Sequence, residues 1–324
     1  AFATKNHLGH FDRPECIFAE PIKSVFAYAD DGKPRLFFLF SSSALFREAI
    51  FSVEELAVPE YSDVMTRSIL ILGGTADARI LAGRLAEDSG YRILLSMAGR
   101  TLSPVEQPVP MRSGGFGGAA GLADFIRSEG FDILVDATHP YAARISANAV
   151  EAARLADIPL VALSRPAWQQ QPGDRWQSVD TVELAVNALG DESRRVFLAL
   201  GRQELLPFEA APRHSYLIRS VDPLEPPLNV PDARYITARG PFALDDEIRM
   251  LEDNRIETVV SKNSGGSASY GKIEAARRLG LPVIMIERPQ PLGDAPLKGA
   301  TVPDIASALT AIRHQLSLFE NRGE

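Results

Sequence analysis

Along the chain, hydrophobic positions fall into short solid runs separated by segments of helical spacing, and from Thr66 onward the alternation is regular. "SILIL", Ser68 to Leu72, predicts a buried strand, and Ala76 to Asp88 carries Ile80, Leu81 and Leu85 at amphipathic-helix spacing. "YRILLSMAG" predicts the next strand, and "PVPMRSGGFGG" a short one running into glycines. Leu122 to Ser128 reads as a helix, "FDILVDATHP" as a strand, Tyr141 to about Ala156 as a helix and "IPLVALSRP" as a strand. Arg165 to Trp176, "RPAWQQQPGDRW", interrupts the rhythm with two prolines, a glycine and glutamines, which marks a boundary. Strands "RVFLALG" and "SYLIRSV" follow, then a helix over Pro241–Asp253, the strand "ETVVS", a helix over Ala268–Leu279, the strand "PVIMIE" and a closing helix over Ile305–Leu318. Apolar strands alternating with helices predict α/β architecture with parallel sheets covered on both faces. The expected division is one open α/β domain over 65–165, a linker over 166–176 and a second domain over 177–324.

Residues 1–64 read differently. They hold the single cysteine, Cys16, and a Phe-rich run, "RLFFLFSSSALF", without strand–helix alternation. The expectation is a poorly ordered or dispensable extension, with a small hairpin-and-helix subdomain as the alternative. A hydrophobic content of 45% and a charged content of 23% describe a soluble globular protein. The net charge of −8 argues against nucleic-acid and membrane-surface binding, which want a basic face. One cysteine excludes an internal disulfide framework and suits a reducing cytoplasm. After Met65 the histidines are His139, His214 and His314, too few for a multi-histidine centre, so no metal is assigned.

Open parallel sheets bind ligands beyond the carboxyl ends of their strands. The first strand delivers Gly73, Gly74 and Thr75 there: glycines admit backbone amides to a pyrophosphate, and Thr75 caps a helix whose N-terminus attracts anions. The dinucleotide fingerprint's third glycine is replaced by Ala78, and Asp77 would repel a phosphate unless it points aside; a tight capped corner accounts for the stretch equally well. The second strand ends in Ser96, Gly99, Arg100 and Thr101, without the carboxylate that holds a ribose 2′-hydroxyl. That set suits a 2′-phosphate, hence NADPH over NADH, or else Arg100 is a solvated loop arginine. Gly114, Gly115 and Phe116 lie in a glycine cluster costly to order unless something passes close by, a cofactor end or a flexible lid.

The fourth strand gives Thr138, His139 and Tyr141. Pro140 suits the first helical position and makes His139 the expected N-cap, with a general-acid role as the alternative. In the second half, Arg202, Arg219 and Lys262 lie near the ends of three strands, with Asn263 and Ser264 adding donors. A polycarboxylate ligand would suit them, unless each cation pairs with an acid such as Glu204 or Asp222. Gly266 to Lys272 matches the triphosphate-binding G-x-x-x-x-G-K pattern, which makes an ATPase or kinase the rival class. Ile273 stands where a magnesium-holding hydroxyl is required, and Ile273, Ala276 and Leu279 predict a helix instead.

Taken together, "ILILGGTADAR", "SMAGRT", "RSGGFGG", "DATHPYAARISANA", "RPAWQQQPGDRW", "LGRQEL", "RSVDP", "RGPF" and "SKNSGGSASYGKIEAARRLGLPVIMI" resemble the precorrin-6A reductase family of cobalamin biosynthesis. The resemblance covers essentially all of the chain after residue 64, with Asp77 where the family commonly has glutamate. It implies two Rossmann-like domains with a cleft between them, and NADPH-dependent reduction of one carbon–carbon double bond of the macrocycle, giving precorrin-6B; a cobalt-containing substrate would mark the anaerobic branch. On this reading the cofactor is held by Gly73, Gly74, Thr75, Ser96, Gly99, Arg100, Thr101, Gly114, Gly115, Phe116 and Thr138. Arg202, Arg219, Lys262, Asn263 and Ser264 would grip the acetate and propionate arms of the tetrapyrrole. The proton would come from His139, Tyr141, Tyr270, Lys272 or water. A non-catalytic tetrapyrrole carrier is the other alternative.

Overall fold

The computed structural model describes residues 65–99, 105–289 and 298–320, together with three strands among the first 64. The chain divides into two compact units, 1–64 and 65–324. In the first, β1 (Lys23–Tyr28), β2 (Pro34–Leu39) and β3 (Phe51–Ser52) form an antiparallel sheet in that order. Its other residues, Cys16 among them, lie outside the described ones.

The second unit holds two six-stranded parallel sheets. The chain first runs through β4 (Arg67–Leu72), α1 (Ala76–Leu85), β5 (Tyr91–Met97), β6 (Met111–Ser113), α2 (Ala119–Glu129), β7 (Ile133–Asp136), α3 (Ala143–Ala156) and β8 (Leu160–Leu163). It continues through β9 (Arg175–Val179), α4 (Val182–Ala188), β10 (Arg195–Ala199), α5 (Arg202–Leu205), β11 (Ser215–Ser220), β12 (Ala233–Thr237), α6 (Leu244–Asp253), β13 (Thr258–Lys262), α7 (Gly271–Arg278) and β14 (Pro282–Ile286). It ends with β15 (Gly299–Val302) and α8 (Ile305–Glu320). The strand orders are β6-β5-β4-β7-β8-β15 and β12-β11-β10-β13-β14-β9. The first sheet starts at its central strand β4, grows to one side, then crosses to the other; the second does the same from β10, while β9, its earliest strand, lies at its far edge. That gives one switch point between β4 and β7 and another between β10 and β13.

The solid apolar runs follow from burial on both faces. Ile69 and Ile71 of β4 pack with Leu81, Leu85 and Leu95 on one side, while Leu70 and Leu72 pack with Leu122, Ile126 and Leu134 on the other. The second sheet repeats this, with Phe197 and Val259 on one face and Leu198 and Val260 on the other. Among the described residues, no helix is long and apolar enough to cross a membrane.

Two expectations are corrected. Residues 177–324 do not form the second sheet alone: β15 pairs in parallel with β8, and α8 places Ala308, Ile312 and Leu316 in the first sheet's core. Gly299 permits the pairing, because a Cβ there would lie 1.9 Å from the Leu160 carbonyl oxygen. In exchange, β9 fills the second sheet's edge beside β14, so Arg175 and Trp176, expected in the linker, are already strand. The second correction concerns α3, which begins at Ala143 and not at Tyr141. His139 to Ala142 form a separate turn, closed by the Ala142 amide on the His139 carbonyl at 2.7 Å, so His139 is not the cap.

Candidate active site

At the first switch point, Gly73 lets α1 close on the sheet: a Cβ there would come within 2.6 Å of Leu95 Cδ1 and 3.3 Å of the Ala78 methyl. Ala78, fully buried, does the packing of the missing third glycine. Gly74 has φ +112° and nothing within 4 Å of its would-be Cβ, so the backbone here borders open space. Thr75 accepts from the Ala78 amide at 3.0 Å and donates to the Ala137 carbonyl at 2.8 Å, tying the helix entrance to the end of β7. The amides ahead of Ala78 have no helical partner, which leaves donors for an anion. These residues fit a dinucleotide's phosphates. Asp77 does not face them uncompensated, because its carboxylate pairs with Arg165 at 2.5 Å.

Along the rim, buried Ser96 accepts from Arg112 at 2.8 Å and Gly99 lies beyond the end of β5. Arg100 and Thr101 lie outside the described residues. Gly114 and Gly115 border open space, and the Phe116 ring lies under the Arg112 guanidinium. Thr138 is held by buried Asp136, which accepts from both its amide and its hydroxyl.

The carboxyl ends of the two sheets are joined directly. Arg165, just after β8, pairs with Asp77 and donates to the Ser264 carbonyl at 2.9 Å. Arg288, just after β14, donates to the carbonyls of Asn263 at 2.8 Å and Arg165 at 2.6 Å. The Asn263 amide is spent on the Trp168 backbone, accepting from its N–H at 2.8 Å and donating to its carbonyl at 3.1 Å. Tyr141 donates its hydroxyl to the Ile286 carbonyl at 2.5 Å. Asn263 and Ser264 therefore hold the crossover segment with their amide and carbonyl groups. Asp77, Arg112, Arg165 and Arg288 were not singled out as binding groups from sequence; for the last two, the available signal was a basic residue directly after a strand.

At the second switch point, Lys262 pairs with Glu204 at 2.8 Å and its ammonium sits 4.9 Å from the Tyr141 ring. Arg202 is exposed in the first turn of α5. Arg219 is elsewhere engaged: it is buried, both terminal nitrogens bond Glu247, and its guanidinium stacks 3.6 Å from the Phe242 ring centre. The acid-pairing alternative thus describes Arg219, and also Lys262.

The proton-carrying candidates differ sharply. Burial, with Lys262, Arg165, Arg288 and Lys272 nearby, lowers His139 to about 3, so at neutral pH its imidazole is uncharged. Burial raises the Tyr141 phenol above its ordinary value. Tyr270 accepts from Arg277 and lies against Trp168. Lys272 is buried in the first turn of α7, donates to the Ser269 carbonyl at 2.6 Å, and is lowered to about 7 by burial and then by Arg219. A lysine so enclosed at a helix start is not the exposed phosphate-gripping lysine of a triphosphate loop. Lys272 also makes stability depend on pH. Between about 7 and its unfolded value of 10.5 the unfolded chain binds the extra proton, so stability rises with pH across that window. The slope should reach about 1.4 kcal/mol per pH unit. Denaturant melts at stepped pH should show this slope in the unchanged chain and lose it in Lys272→Met.

By strand order, and by the way Gly73 and Ala78 bring α1 onto β4, the first sheet is of the doubly wound, dinucleotide-type class. A family model described as "Precorrin-6x reductase CbiJ/CobK" matches residues 68–313. A precorrin-6A reductase of Sinorhizobium sp is 59% identical over 249 residues, covering 77% of this chain and 94% of that protein. One from Rhodobacter capsulatus is 52% identical over 225 residues, covering 69% and 89%. A solved structure, "CobK precorrin-6A reductase", superposes with TM-score 0.73 at 44% identity, covering 77% of this chain and 97% of that one. The chain belongs to the precorrin-6x reductase family, whose members are oxidoreductases of cobalamin biosynthesis.

Proposed function

We propose that residues 65–324 catalyse NADPH-dependent reduction of one carbon–carbon double bond of precorrin-6A, giving precorrin-6B, in the space where the two switch points face each other. The observation that carries this reading is the contact of a dinucleotide-type helix entrance, through Arg165, with the Ser264 loop of a second sheet whose β12-β11-β10-β13-β14 run in the same order as β6-β5-β4-β7-β8 of the first. When bound, the cofactor would supply the hydride.

The chain's own residues supply position and charge. The amides at Gly74 and Thr75 would hold the pyrophosphate, Ser96 and the Gly114–Phe116 loop the adenosine side, and Thr138 the inner edge. Lys262, Arg202, Arg165 and Arg288 surround the facing strand ends with positive charge, which suits the many carboxylate arms of a tetrapyrrole. His139 is held neutral among these cations, and Tyr141 is bonded to a carbonyl; neither serves as a ready acid at pH 7. Lys272 titrates near neutrality but is enclosed, so water entering with the substrate is the proton source this arrangement favours.

The test is anaerobic oxidation of NADPH by the purified chain with precorrin-6A, metal-free and cobalt-bound, using the full chain and residues 65–324. The expected result is stoichiometric oxidation with one of the two substrates and equal rates for both lengths. Binding of the macrocycle without NADPH oxidation would make the protein a carrier instead. Tight Mg-ATP binding without an NADPH signal would favour the triphosphatase class.

A further inference from the structure

We propose that Arg112 is the residue that reads a 2′-phosphorylated adenosine, which makes it the determinant of NADPH over NADH. This deepens the cofactor reading above and rests on it. In a doubly wound sheet the adenosine ribose lies at the carboxyl end of the second strand, here β5. An NAD site offers a carboxylate at that place; β5 ends instead in Ser96 and Met97. Arg112 stands beside Ser96 in the parallel register of β5 and β6. Its Nη1 donates to Ser96 Oγ at 2.8 Å and to the Gly114 carbonyl at 3.1 Å, and its Nη2 reaches the Gly115 carbonyl at 3.4 Å.

One face of the guanidinium is covered, 4.0 Å from the Phe116 ring centre and 5.2 Å from that of Phe125. The fork is thus aimed and stiffened by neutral acceptors and aromatic rings. Among the described residues, no carboxylate pairs with it. Arg127, Arg154, Arg165, Arg219, Arg277 and Arg278 each pair with an acid, while Arg92, which like Arg112 bonds neutral acceptors and lies over a Phe ring, sits at the opposite, amino end of β5. A half-buried, oriented cation left uncancelled in a chain of net charge −8 has room for an anionic partner from outside. A phosphate monoester, close to doubly charged at neutral pH, accepts a planar fork in two parallel bonds. Gly114 and Gly115 add no bulk beside it, since a Cβ at either would meet nothing within 4 Å.

The test is equilibrium binding to the full chain, without macrocycle, of NADPH, NADH, adenosine 2′,5′-bisphosphate and 5′-AMP. The unchanged chain should prefer each 2′-phosphorylated member of its pair. Arg112→Gln should weaken NADPH and the bisphosphate about 10- to 100-fold, leaving NADH and 5′-AMP within about threefold. Arg112→Lys should fall between, because it keeps the charge and loses the fork; it also serves if the glutamine variant does not fold. Equal losses for both members of each pair would make Arg112 only a staple of the glycine loop and overturn the assignment. Selectivity that survives in Arg112→Gln but vanishes in Arg100→Gln would overturn it in favour of Arg100. An unchanged chain that binds none of the dinucleotides, or does not discriminate between them, would instead sink the NADPH reading on which the assignment rests.

Discussion

Glu247→Gln should lower the folding stability of the protein by about 3–5 kcal/mol, the largest loss expected from a change outside the cleft. Glu247 and Arg219 face each other with side chains 3% and 7% exposed. Removing one partner leaves a guanidinium sealed among Phe197, Phe242 and Lys272 with nothing to cancel it. The remaining positive charge would also press harder on the Lys272 ammonium, which Arg219 already disfavours and Glu247 supports. The paired change Glu247→Leu with Arg219→Met should recover most of the loss, since an apolar pair of similar volume avoids desolvating either charge. Urea midpoints at constant m-value would measure both. A loss under about 1 kcal/mol in the single variant would mean that the pair is solvated and adds little.

A second large effect is expected at Lys262, this time on turnover. Lys262→Ala removes a cation at the second switch point and at the same time releases Glu204, its partner at 2.8 Å, as a bare carboxylate facing an acidic substrate. Both changes act in one direction, so kcat/KM for the macrocycle should fall about 100-fold, equivalent to roughly 3 kcal/mol. Dinucleotide affinity should not change. Glu204→Gln gives the opposite sign: the lysine is freed, and KM for the macrocycle should decrease. A drop in dinucleotide affinity in Lys262→Ala, with KM for the macrocycle unmoved, would reverse the roles of the two sheets.

Much of this architecture could be read from periodicity, because strands buried on both faces show themselves as solid apolar runs. β4, β5, β7, β10, β13 and β14 were all visible in this way. The exchange of edge strands was not. "GATV" in β15 is short and lacks an apolar run, and α8 has an apolar face that would suit either sheet. The choice rests on contacts in space, among them the fit of Gly299 against Leu160 and the packing of Ala308, Ile312 and Leu316. The turn at His139 was misread for a similar reason: Pro140 fits a first helical position, yet the hydrogen bond from Ala142 closes a separate turn before the helix.

The candidate site was legible in its outline and not in its wiring. Gly73, Gly74 and Thr75 fall where the motif placed them, at a switch point. Arg219 and Asn263 looked like ligand groups because each lies at or near a strand end, but position along a strand does not reveal whether Glu247 or the Trp168 backbone already occupies the side chain. Asp77 posed the opposite puzzle, an acid at an anion-binding helix end. Its answer, Arg165, is 88 residues away in sequence.

The return of β15 to β8 sets a timetable for biosynthesis. Until Gly299 to Val302 has been synthesised, the border of Leu160 to Leu163 that it covers has no partner strand. Pairing between such distant segments is slow, and exposed borders of this kind invite association between nascent chains. Removing Gly299 to Val302 would make that interim condition permanent.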